Sequence, residues 1–105
     1  MKKLAQGAIG TGSGTLAYTV PTGFKADVID ICIANTASGS LTCALHLVPV
    51  GVAVGVSNML FPTVSIAGNT VLQWTGVQTL NADDFIQAIG SASGLTMNIT
   101  GSEYR

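Results

Sequence analysis

Acid–base chemistry in these 105 residues would have to come from very few groups. There is one histidine, His46, and the acidic side chains are Asp27, Asp30, Asp83, Asp84 and Glu103. The pairing that could matter is His46 with Asp30. If residues 25–34 and 41–49 form a hairpin with Ile33 opposite Cys43, Asp30 falls opposite His46. That is the orienting half of a hydrolytic triad. The plainer readings, a cross-strand polar pair or two residues at a subunit contact, are favoured: no catalytic residue is assigned. The two cysteines, Cys32 and Cys43, fall on opposite faces of that hairpin and should stay reduced; a one-residue slip would make them neighbours. No metal is expected, since a site needs three or four converging ligands and the chain lacks the spacing. Asp83-Asp84 offers too few oxygens for a calcium loop and reads as the cap of a tight turn. The Gly10, Gly12, Gly14 spacing suggests a phosphate loop, but such a loop needs a helix N-terminus behind it, and the strand-like LAYTV follows instead. No cofactor is expected.

Composition points away from several partner classes. Nine residues are charged, 9% of the chain, against roughly 25% in an ordinary soluble domain. A monomer of this mass exposes on the order of 5,500 Å², so each charge serves about 600 Å² of surface. Such a sparse coat suggests a chain whose surface is covered in an assembly. Four basic residues cannot form a phosphate-tracking stripe, so no nucleic-acid partner is expected. The opening MKKLAQGAIG lacks the continuous apolar segment of a signal peptide. The apolar region Leu45 to Val64 is broken by Pro49, Gly51, Gly55 and Pro62, so no membrane partner is expected. Folding in a cytoplasm follows as the expectation, and the Asn98-Ile99-Thr100 sequon reads as coincidence.

The elements that must position these groups read as strands. Residues 1–14 are expected to be an N-terminal arm with a glycine joint, and residues 15–105 a β-sandwich domain. Leu16 to Val20 is a strand, and Pro21-Thr22-Gly23 a turn. The hairpin from Lys25 to Pro49 is the expected centre, with Ile29, Ile31 and Ile33 facing Leu47, Leu45 and Cys43 across turn formers Asn35 to Ser40. Val50 to Val56 alternates valine with Gly or Ala and reads as a contact surface. Short strands follow at Met59 to Phe61, Thr70 to Trp74, Val77 to Leu80 and Phe85 to Ile89. Leu95 to Ser102 alternates strictly, with Leu95, Met97 and Ile99 inward. Seven to eight short strands separated by turns predict an all-β fold, an antiparallel β-sandwich of jelly-roll-like type. Ile29, Ile31, Ile33, Leu45, Leu47, Leu72, Trp74, Phe85 and Ile99 are the expected core.

Several of these pieces, in order, resemble a known group. Thr15 to Gly23, TLAYTVPTG, is similar to the "T-L-Y-T-V-P-A-G" opening of small virion proteins of tailed bacteriophages. The Ile/Val-rich strand ending in Asn35-Thr36, the run His46-Leu47-Val48-Pro49 before a glycine-containing loop, Leu80 to Ile86 (similar to "L-x-A-G-D-x-I") and a closing strand ending Ile99-Thr100-Gly101 agree with it. The resemblance spans roughly Leu4 to Ser102. Asp83 stands where Gly is usual, so that turn must be one an Asp can adopt. The resemblance implies a capsid decoration (cement) protein of the virion, assembled in the host cytoplasm. Its implied partners are sister subunits, as a homotrimer, and the major capsid protein or other virion proteins. A neck, tail or fibre-associated module is the close alternative, and a carbohydrate- or receptor-binding module a further one. Interface residues expected on this reading are Leu4, Ile9, Val50, Val52, Val54, Val56, Asp30 and His46.

Overall fold

A computed structural model describes all 105 residues, which form eight strands joined by turns and loops. They are β1 (Lys2–Ala8), β2 (Thr15–Thr19), β3 (Lys25–Asn35), β4 (Leu41–Val48), β5 (Met59–Ile66), β6 (Val71–Leu80), β7 (Phe85–Gly90) and β8 (Leu95–Tyr104), with one 3-10 turn at Val56–Asn58. Two four-stranded sheets form, in the orders β1-β8-β3-β6 and β2-β7-β4-β5. All neighbours are antiparallel. The couples 1·8, 2·7, 3·6 and 4·5 describe one long hairpin rolled up so that its layers alternate between sheets, which is the jelly-roll wrap.

The expected hairpin does not exist. β3 and β4 lie in different sheets, and residues 36–40 carry the chain from one to the other. The reason is Asn35, which is 2% exposed. Its Nδ2 donates to the carbonyls of Gly39 (3.0 Å) and Ile66 (2.9 Å), and its Oδ1 accepts from the amide of Ala37 (2.9 Å). One side chain thus bends the chain across the sandwich and ties the crossing to the end of β5. A hairpin turn would leave that amide unpartnered.

β3 pairs instead with β8 and β6, and both ladders shift between Val28 and Asp30. Ile29 is the extra residue of this bulge. The inward face therefore runs Ala26, Val28, Ile31, Ile33, and Ile29 is only half-buried. Likewise Ile86, not Phe85, points inward from β7. Ile31, Ile33, Leu45 and Ile99 are buried in the core as expected, with Leu47, Leu72 and Trp74 partly buried against it.

The expected arm is a strand. β1 pairs with β8, and a register shift between Lys3 and Ala5 turns both Leu4 and Ala5 inward. With Ile9 they belong to the common core. The Tyr18 hydroxyl donates to Glu103, which also accepts from Lys2 Nζ at 3.3 Å, joining β2, β8 and β1. Burial and that carboxylate push the Tyr18 hydroxyl above its usual range, and the Tyr18 bond holds Glu103 below its own. Pro62 does not end β5, because an edge strand has a free side for the missing N–H. β6 is one strand, with Gly76 and Val77 opposing the Ile29 bulge.

Candidate functional site

His46 and Asp30 are not partners. Asp30 lies on the outer face of the β1-β8-β3-β6 sheet, half-buried, and accepts from Gln73 Nε2 at 3.1 Å. His46 lies on β4 in the other sheet, 4% exposed. Its Nδ1 is 3.1 Å from the Gly55 carbonyl and 2.9 Å from Asn58 Oδ1. Both are acceptors, so the proton belongs on Nδ1. The triad-like pairing depended on the hairpin register and goes with it. Cys32 and Cys43 are free thiols in separate sheets. Cys43 is buried, and burial pushes its thiol up to about 11.

The acidic pair is structural. Asp83 adopts φ 68°, which Asp tolerates, and accepts from Thr22 Oγ1 at 2.7 Å. Asp84 is buried, and its carboxylate oxygens accept the amides of Asn81 (2.8 Å) and Val50 (3.0 Å). It closes the β6–β7 turn and also fixes the first residue of the valine segment. The glycines at 10–14 form a turn, exposed at Thr11 to Ser13, with no helix behind it. Gly14 lies so close to β7 that an added Cβ would meet the Ala88 carbonyl oxygen at 2.4 Å.

The valine segment is the β4–β5 loop. Gly51 turns it at φ 79°, and Val52 N–H returns to the Pro49 carbonyl at 3.1 Å. Asn58 ties down two more of the loop's backbone groups: its Nδ2 donates to the Ala53 carbonyl (2.9 Å), and its Oδ1 accepts from Gly55 N–H (3.2 Å) as well as from His46. The Val50 and Gly55 amides and the Ala53 and Gly55 carbonyls are thus tied to Asp84, Asn58 and His46, and the valine side chains are left outward. Val50, Val52, Val54 and Val56 are 59%, 46%, 38% and 88% exposed.

The expected interface set therefore divides. The four valines are exposed together on one anchored loop, while Leu4, Ile9 and His46 are buried in the subunit and Asp30 lies on the opposite sheet. Leu4 and Ile9 fill the core because β8 needs a partner strand. His46 supports the loop from beneath. The Asp84 contact to this loop has no local sequence signal, since it joins Val50 across 34 residues of chain, whereas Asn58 binds residues three and five positions before it, Gly55 and Ala53, a local pattern that sequence reasoning missed.

Charge is divided between the two sheets. Lys2, Lys3, Lys25, Asp27, Asp30 and Glu103 all lie on β1, β3 or β8, and Arg105 follows β8, whereas the strands β2, β7, β4 and β5 hold no charged residue. The loop joins two of these uncharged strands. Its exposed apolar side chains stand on a backbone held at Val50, Val52, Ala53 and Gly55. No cavity opens in the molecule. Compared with protein-family models and with curated proteins, the chain matches none.

Proposed function

We propose that this chain is a structural protein of a bacteriophage particle, a capsid decoration protein that stabilises the head shell through contacts with its neighbours. The observation that carries the reading is the β4–β5 loop: four exposed valines on a segment anchored at Val50 by Asp84 and at Ala53 and Gly55 by Asn58. Exposed valines are unfavourable in an isolated subunit and favourable once covered, at about 25 cal/mol per Å² removed from water. A partner that covers them stabilises the assembly by mass action. The likeness of Thr15–Gly23 and Leu80–Ile86 to tailed-phage virion proteins and the low charge support the same reading. Jelly rolls recur in viral capsids, which is an analogy of fold.

Light scattering and co-sedimentation with empty heads of the phage that carries the chain test it. The chain should pellet with heads, and the pair Val52→Asp and Val54→Asp should lower occupancy at least tenfold while leaving circular dichroism unchanged. A stable monomer that ignores heads would sink the proposal. Binding to isolated tails alone would favour the neck or tail alternative.

A further inference from the structure

Four strands end the two sheets, and three are guarded against pairing with another chain. β1 carries Lys2 and Lys3, β2 has five residues and a register shift, and β5 has Pro62 in its middle and two register shifts. Lysines, prolines, bulges and shortness are the usual devices that blunt an edge. β6 has none of the first two and is ten residues long. Its only ladder is with β3, and no backbone bond joins residues 71–79 to any turn or loop. From Val71 to Thr75 the pairing with β3 is regular; the irregularity begins only at Gly76. One side of this segment is therefore a row of unpaired N–H and C=O groups.

We propose that the β6 edge pairs with the β6 edge of a second copy of this chain, antiparallel and centred on Gln73. The sequence of the segment, VLQWT, is complementary to itself about that point. Gln73 meets its own counterpart, Val71 lies opposite Thr75 on the outer face, and Leu72 lies opposite Trp74 on the inner face. Directly opposed residues share a face and touch. Leu72 and Trp74 are each half-buried at the rim of the core, so their open sides would close on one another and the two cores would become continuous. The Trp74 ring already lies along the strand over Gly76, where an added Cβ would be 3.1 Å from it. No like charges meet in the ladder. The nearest acids, Asp30 and Asp27, sit one strand inside the edge and are bonded to Gln73 and Thr79. The contact is two-fold and isologous. It uses none of the valine-loop residues and so goes beyond the head-binding proposal.

Sedimentation velocity on the full chain over a concentration series tests the inference, with the fluorescence of Trp74, the one tryptophan, as reporter. The chain should pass from monomer to dimer as concentration rises, and the emission should move to the blue. Gln73→Lys and Gln73→Glu each place like charges opposite one another and should weaken the dimer at least tenfold. An equimolar mixture of the two should restore pairing, since lysine then meets glutamate; misfolding of either variant could not produce that recovery. The Val52→Asp, Val54→Asp protein should dimerise normally. A chain monomeric at about 1 mM, a dimer indifferent to both Gln73 variants, or a mixture without recovery would overturn the proposal.

Discussion

Replacing Asn35 separates two explanations for the stretch Asn35 to Ser40. If Asn35 were only a turn former, as in a hairpin, aspartate would replace it at little loss, because both residues suit turns. In the structure its amide makes three bonds, of which the one to Ile66 is fully buried and those to Gly39 and Ala37 are partly so. Leaving a buried group unpaired costs about 1–3 kcal/mol, and each part-exposed bond contributes about 0.5–1.5 kcal/mol, less where water replaces it. Asn35→Ala should therefore destabilise by about 2–4 kcal/mol, a large share of the roughly 5–15 kcal/mol of a whole domain. Asn35→Asp should be no better at neutral pH: one oxygen still accepts from Ala37, but the other faces two carbonyls and repels both. Protonation supplies the missing donor, so the introduced carboxyl would have its folded-state pKa raised above about 3.9. The folded state then binds the proton more tightly, and the variant should gain stability as pH falls toward that value. Urea denaturation followed by Trp74 emission measures each midpoint, with an unchanged slope certifying the same transition. A loss under about 1 kcal/mol for alanine, or an aspartate variant as stable as the parent at pH 7, would refute the account of the crossing.

Two further outcomes rest on single sites. Gly101 sits buried in β8, where an added Cβ would lie 2.0 Å from the Asp27 carbonyl oxygen and 2.8 Å from Leu4 Cδ1. Backbone cannot yield to such a clash, so Gly101→Ala should cost more than about 3 kcal/mol by thermal or urea unfolding; a soluble variant of parental stability would refute it. Cys43 titrates from 9.0 in the open chain up to about 11 in the fold. Between those values the unfolded chain loses its proton and the folded one keeps it. Stability is thus full below about pH 9 and falls as pH rises toward about 11, by on the order of 2 kcal/mol. The difference between the parent and Cys43→Ala, measured at pH 8 and pH 11, isolates that loss, since the cavity contribution is common to both.

The strand content was legible because alternation reports which residues share a face. Leu95, Met97 and Ile99 alternate in sequence and are all buried. Partners were not legible. Ile31, Ile33, Cys43 and Leu45 do face one another, but across the sandwich rather than along a shared ladder, and apolar alternation is the same for both arrangements. The Ile29 bulge inverted Val28 and Ile29 because nothing in the residues marks where a ladder slips. Leu4 and Ile9 read as an arm because glycines surround them, and only the need of β8 for a neighbour makes β1 a strand. The Asp83-Asp84 cap was legible, since its chemistry is local. The second bond of Asp84, to Val50, was not, because it crosses 34 residues of chain.

The wrap explains why the exposed apolar groups lie where they do. In a chain rolled as one long hairpin, the four inner strands β8, β3, β7 and β4 are flanked on both sides and the other four on one, and the tip turns back beyond the last strands. That tip is the β4–β5 loop. It stands at the end of the molecule organised by Asp84, which also receives the Val20 amide at its backbone carbonyl. The regular half of β6 begins at the opposite end, where the Asn35 side chain holds the two crossings beside it, through Gly39 and Ile66. Loop and edge therefore belong to different sheets and different ends, and covering one leaves the other free. If both proposed contacts form, one isologous through the β6 edge and one through the valine loop, the chain can extend an assembly instead of closing it.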